Sequence, residues 1–166
     1  FDFLQNIITN NLIKNDSVIF SYVLTPQGKI YSEIQIKKNL DSIDVICTND
    51  QVDLHSYFDK YSKLSNILLE KIVINKSTIG ENYFENSLSK GRIDSNFLPH
   101  SKFLPSEIHE SYIDFQKGCF IGQEVVSRIK YRHLNKKIIR VFKNLNKDKI
   151  TQNKDFKIIK ENMINL

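Results

Sequence analysis

Eight consecutive residues, Lys117-Gly118-Cys119-Phe120-Ile121-Gly122-Gln123-Glu124, hold one of the two cysteines and two of the five glycines in the chain. A thiolate is the reactive form of cysteine, and a nearby cation or a helix N-terminus lowers the thiol pKa from its ordinary value of about 8.5. Lys117 supplies a cation next to Cys119 in sequence. A helix opening at Gly122 aims its free N–H groups, the positive end of the helix dipole, back towards the sulfur. Two readings of Cys119 follow: a reactive thiol, or a small apolar residue buried for packing. The expected helix runs from about Gly122 to Arg132. On it Glu124 and Arg128 stand four apart and share a face, Arg132 extends that face, and Gln123 sits at its start. This face is either the solvated side of an amphipathic helix with an ion pair, or the polar wall of a site for an anionic ligand.

Other site chemistries find no footing. His55, His100, His109 and His133 are scattered, with no Cys-x-x-Cys or His-x-x-x-His spacing, so no structural zinc or other metal site is expected. Two cysteines cannot supply the four thiolates of an ordinary iron–sulfur cluster. A serine-hydrolase elbow, a P-loop and a dinucleotide fingerprint are all missing.

The formal net charge is +5, which invites a nucleic-acid partner. Yet the chain has no alanine and no tryptophan and is crowded with Lys, Asn and Ile, the residues of A/T-rich codons. Much of the lysine excess is therefore read as drift on solvated surfaces, and direct nucleic-acid binding is not expected. The four arginines, Arg92, Arg128, Arg132 and Arg140, all lie in the second half, around the octet. Each is an ordinary surface ion-pair partner or a fork for carboxylate or phosphate. No apolar run approaches the ~20 residues of a membrane helix, so no membrane partner is expected. With no secretory leader read at the start and Cys47 far from Cys119, a reducing compartment is expected: bacterial cytoplasm or its equivalent. Phe1 and Leu166 both fall within apolar stretches, as if cut from something longer.

An α+β pattern must position the octet, with mixed or antiparallel sheet layers and packed helices. Phe3, Leu4, Ile7, Ile8 and Leu12 repeat at helical spacing. Val18–Leu24 is a β-rich run, Pro26-Gln27-Gly28 a turn, and Ile30–Lys37 alternates, so the pair predicts a hairpin. Ser42–Thr48 predicts a third strand carrying Cys47, a helix follows from Asp50 to about Leu64, and Leu68–Asn75 predicts a fourth strand. This order suggests a split β-α-β layer over residues 1–76. Residues 77–135 form a second part, with a short helical turn within Ser77–Ser89, an irregular stretch from Lys90 to Glu110, and the octet. Phe97-Leu98-Pro99 and Phe103-Leu104-Pro105 suit either a loop over a cavity or a plain connection. Lys136–Leu145 alternates like a strand and opens a third part, 136–166.

The octet, with Arg128 and Tyr131-Arg132 after it, resembles the signature of the YgfZ family of folate-binding proteins, relatives of the aminomethyltransferase T-protein of the glycine cleavage system. Phe3-Leu4-Gln5 with Thr9-Asn10, Leu24-Thr25-Pro26-Gln27-Gly28-Lys29, Gly91-Arg92-Ile93 and Phe103-Leu104-Pro105 resemble further family segments, in order along residues 1 to about 145. Asn6 and His133 stand where the family often has glycine, and Asn11 where it often has aspartate. The resemblance implies the T-protein/YgfZ fold with its C-terminal β-barrel largely missing. It implies a folate, tetrahydrofolate or a related form, in a cavity beside the octet, and partners among iron–sulfur enzymes, including tRNA-modifying ones, whose clusters the protein helps assemble or repair. The family cysteine maps onto Cys119. Arg92, Lys117, Gln123, Glu124, Arg128 and Arg132 are the expected folate-binding residues, with arginine suited to the glutamate tail. A non-enzymatic accessory role is the first reading. The alternative is a folate-dependent aminomethyl or one-carbon transferase with Asp94, Glu107 or Asp114 managing protons. A tRNA-binding module ranks third.

Overall fold

The computed structural model describes residues 2–13, 18–47, 52–63, 65, 67–72, 93, 95, 98–135 and 137–140. Its centre is a three-stranded antiparallel sheet in the order β1 (Ile19–Leu24), β2 (Ile30–Lys38), β3 (Ile43–Ile46). The expected hairpin is present. Gly28 takes φ +75 at its turn, and Gly28 N–H donates to Thr25 O at 2.8 Å. The register shifts between Val23 and Leu24, where Val23 faces Ser32 but Leu24 faces Ile30, a bulge that leaves Tyr31 as the extra residue. β3 ends at Ile46, and Cys47 lies just beyond it with Sγ 3.0 Å from Ser32 Oγ.

Period-two alternation along β1 feeds two cores. Ile19 and Val23 join Leu4, Ile7, Ile8, Leu12, Ile34, Ile36 and Phe58 on one side. Tyr22 and Leu24 join Ile30, Leu98, Ile108, Tyr112, Ile113, Phe120 and Val126 on the other. The first core is closed by α2 (Leu54–Ser62), whose N-cap Asp53 accepts from Ser56 N–H at 3.1 Å. That cap, with the Ser56 hydroxyl, holds the Asp53 carboxyl below its ordinary pKa. The second core is closed by α3 (Pro105–Ile108), a 3-10 turn at Glu110–Tyr112, and α4 (Gln123–Tyr131). Pro105 opens α3, and the Glu107 carboxylate reaches back to the Leu104 N–H at 2.8 Å.

Several expected elements differ. The opening helix α1 covers only Asp2–Gln5, although Leu4, Ile7, Ile8 and Leu12 are all buried as the helical spacing required. Ile8 instead bridges to Val23, and Thr9 N–H donates to Tyr22 O at 3.0 Å. The Ser21 hydroxyl accepts from the N–H groups of both Thr9 and Asn10, so tertiary acceptors replace the helical ones. The second helix starts at Leu54, not Asp50, because Asp53 caps it. Residues 67–72 carry no strand: Leu68 is 93% and Ile72 72% exposed, and only Leu69 packs on the core. Among the described residues the returning strand of a split β-α-β layer is therefore missing, since no ladder partner covers this run. Residues 137–140 likewise form no strand and touch the fold through Ile139 N–H to Glu107 O at 2.8 Å. The helical turn within 77–89, residues 73–75, and most of the expected barrel entry lie outside the described residues, which contain no barrel.

Candidate functional site

Gly122 is the N-cap of α4, in the left-handed region at φ +81. A Cβ there would sit 2.6 Å from Thr25 O and 3.0 Å from Gly28 Cα. The hairpin-turn glycine answers it, because a Cβ on Gly28 would meet Val125 Cβ at 3.0 Å and Gly122 O at 3.3 Å. Each glycine is thus needed twice: for its backbone conformation and for the closeness of the other. The start of α4 is docked against the β1–β2 turn, and Val126 on its inner face is buried in the second core. Gly118 differs, since a Cβ added there would meet nothing within 4 Å.

The octet is also tied to the N-terminal segment. The Lys117 side chain turns inward and is 7% exposed. Its Nζ donates to the carbonyls of Gln5 at 2.5 Å, Ile8 at 2.6 Å and Asn10 at 3.2 Å, and lies 5.3 Å from the centre of the Phe120 ring. An ammonium has three donors, so the cage satisfies it fully. Burial pushes the Lys117 pKa down to about 8, with Asp114 pulling the other way. Ile121 N–H donates to Asn6 O at 3.2 Å and Asp114 N–H to Thr9 O at 3.0 Å. The Thr9 hydroxyl donates to Tyr112 O at 2.8 Å and accepts from Tyr22 N–H at 2.9 Å. The segment 112–121 therefore wraps the turn at 5–10, and the octet joins two distant pieces of chain, this turn and the β1–β2 hairpin turn.

Lys117 and Cys119 point apart. Cys119 is an exposed free thiol, while the Lys117 ammonium is enclosed. The packing alternative for Cys119 is thereby removed: its sulfur faces solvent. Gln123 supports the clasp from within, its Oε1 accepting from Phe120 N–H at 3.3 Å. Glu124 and Arg128 form the expected i, i+4 pair at 2.5 Å, with side chains 83% and 54% exposed. Arg132 is the C-cap of α4 and exposed. The helix ends in a double closure: His133 N–H donates to Lys130 O at 3.1 Å and Leu134 N–H to Ile129 O at 3.0 Å, with His133 at φ 52. This is a Schellman end, with histidine in the left-handed position that glycine ordinarily fills. Arg92 and Asp94 lie outside the described residues.

A shallow cleft of about 200 Å³, partly open solvent, is lined by residues that include Ile30, Tyr31, Ser95, His100 and Phe103. None of the octet borders it. Tyr31 stacks on Tyr57 at 4.7 Å, and burial raises the pKa of both hydroxyls, with Asp53 adding to the rise at Tyr31 and Tyr61 at Tyr57. Glu107 is held in the α3 cap and Asp114 accepts from Gln116 N–H at 2.9 Å, so both carboxylates have structural partners. No group of three or more metal-ligating side chains occurs among the described residues, and no helix there is long and apolar enough to cross a membrane.

No family model matches the chain. Over 40 residues it is 45% identical to the tRNA-modifying protein YgfZ of Blochmanniella pennsylvanica, a match covering 22% of this chain and 12% of that protein. Over 47 residues it is 45% identical to an uncharacterized protein of Haemophilus influenzae, covering 26% of this chain and 17% of that protein. The likeness to a YgfZ protein is thus partial, and the matches span less than a fifth of the length of either relative. The Thr9-Asn10 and Thr25–Lys29 pieces stand out in the sequence, but nothing there signals that they meet at the octet, because each contact joins residues about a hundred positions apart.

Proposed function

We propose that this chain is the folate-binding part of an accessory protein that serves the assembly or repair of iron–sulfur enzymes, including enzymes that modify tRNA. The carrying observation is the clasp. The early segment, the hairpin turn and the octet, which all carry the YgfZ resemblance, converge on one structure that leaves the Cys119 thiol exposed. The partial match to a tRNA-modifying protein YgfZ points the same way. The described residues suit only one end of a folate. Arg128 and Arg132 are exposed guanidinium groups able to fork onto a glutamate-tail carboxylate, although Arg128 must share itself with Glu124. Lys117 is proposed as a support of the site and not a direct ligand, since its three donors are engaged. The described cleft is shallow and part of its volume is open solvent, so it does not enclose a pteridine with its benzoyl-glutamate.

Calorimetric titration of the full chain with tetrahydrofolate tests the reading. Binding is expected, weakened about tenfold or more by Arg128→Ala through loss of a charge-assisted hydrogen bond and unchanged by Cys119→Ser. In cells lacking the protein, Cys119→Ser is expected to leave the iron–sulfur enzyme defect unrepaired. Full rescue by that variant would sink the proposed role of the thiol. Turnover of an aminomethyl donor with tetrahydrofolate would replace the accessory role with the transferase.

A further inference from the structure

We propose that the face running from α4 into residues 137–140 binds single-stranded nucleic acid, through phosphate contacts and one stacked base. This goes beyond the folate reading and does not depend on it. Between Val125 and Arg140 the sequence carries three of the four arginines and three lysines, and not one carboxylate. A/T-rich coding accounts for lysine on a solvated surface, but not for arginines gathered in one stretch. Arg132, Lys137 and Arg140 are all exposed, and no carboxylate pairs with them among the described residues. Exposed cations without counter-charges are what phosphates neutralise.

The aromatic component sits beside them. Tyr131, next to Arg132, is 67% exposed, a large fraction for an aromatic ring. It is not loose, because Phe115 meets it edge-on at 6.2 Å and 71°. Phe115 is fixed in turn by the Lys130 ammonium, 3.7 Å over its ring, and Lys130 is paired with Glu110 at 3.7 Å. A ring held from behind and open in front is a stacking platform for an unpaired base, while guanidinium groups follow the backbone. The segment after α4 is anchored to α3 by Asn135 Nδ2 to Ser106 O at 2.8 Å and Ile139 N–H to Glu107 O, which holds the stretch that carries Lys137 and Arg140 against α3. Leu134 and Ile138, 48% and 60% exposed, supply apolar contact among the charges. A membrane surface is a poorer fit, since α4 has only nine residues and no long amphipathic stripe.

The test is fluorescence anisotropy of the full chain with labelled twelve-residue oligouridine RNA and its oligothymidine counterpart. Three phosphate contacts predict a log–log salt slope of about −2, so affinity should fall about 15-fold between 50 and 200 mM KCl. Arg132→Glu with Arg140→Glu should flatten that slope and weaken binding more than about tenfold. Tyr131→Ala should weaken binding about tenfold and leave the slope unchanged. The tighter of the two oligonucleotides names the natural strand. Thermal melting checks that the variants stay folded. No binding at 50 mM KCl, indifference to all three substitutions, or equal affinity for poly-L-glutamate or phosphatidylglycerol vesicles with the same sensitivities would overturn the proposal.

Discussion

Replacing Gly122 by alanine isolates the contact on which the clasp depends. The added Cβ would lie 2.6 Å from Thr25 O and 3.0 Å from Gly28 Cα, on a backbone held at φ +81. Left-handed backbone alone costs a residue with a Cβ about 1–2 kcal/mol. Thr25 O cannot simply retreat, since it accepts the Gly28 N–H at 2.8 Å within the hairpin turn. The start of α4 must therefore lift from the turn, with an overpacking cost of about 1–3 kcal/mol. Together these predict a loss of about 2–5 kcal/mol, a large part of the ~5–15 kcal/mol that holds an ordinary domain folded. Urea unfolding measures it as a lower midpoint at unchanged slope. Gly118→Ala is the internal control four residues away, where a Cβ meets nothing within 4 Å, and it should change stability by no more than ~0.5 kcal/mol. A Gly122→Ala protein as stable as the parent, or a Gly118→Ala protein equally damaged, would refute the glycine-to-glycine docking.

Two further changes probe the same region. Lys117→Met leaves the carbonyls of Gln5, Ile8 and Asn10 without their donor and should cost about 2–4 kcal/mol in denaturant unfolding. Because the folded-state pKa of Lys117 is pushed down to about 8, below that of a free lysine, the folded protein releases this proton first as pH rises. Its contribution should therefore rise from pH 8 to about 10.5 and fall away as pH drops through 8; a parent-minus-variant stability difference that is flat or declines across that window would contradict the burial of the ammonium. His133→Gly relieves a side chain held at φ 52 and should raise stability by up to about 1 kcal/mol, read as a higher melting temperature; a lower one would mean that the imidazole makes a favourable contact there.

Local chemistry made much of the scaffold legible. Pro26 and Gly28 between two β-rich runs specify the hairpin, and Gly122 followed by Gln123-Glu124 specifies the start of α4, because turn and cap preferences act over a few residues. The pairing of Glu124 with Arg128 follows from helix geometry alone. The apolar positions Leu4, Ile7, Ile8 and Leu12 were also readable as buried, but not the conformation that buries them. A helix keeps its hydrogen bonds local, whereas Thr9 and Asn10 find theirs on Ser21 and Tyr22 of β1, which no spacing rule announces.

The sequence by itself determined the position of the octet, the hairpin that faces it and the polar face of the helix after it. Only the tertiary structure decided that Lys117 and Cys119 part company, one ammonium buried in a carbonyl cage and one thiol left in solvent. Neighbours in sequence share a backbone but not a direction. Where each side chain goes depends on what the rest of the fold offers it: three carbonyl oxygens for the lysine, and open solvent for the sulfur. The same holds for Gly28 and Gly122, whose scarcity marks them in the sequence but whose shared reason is a contact between residues 94 positions apart.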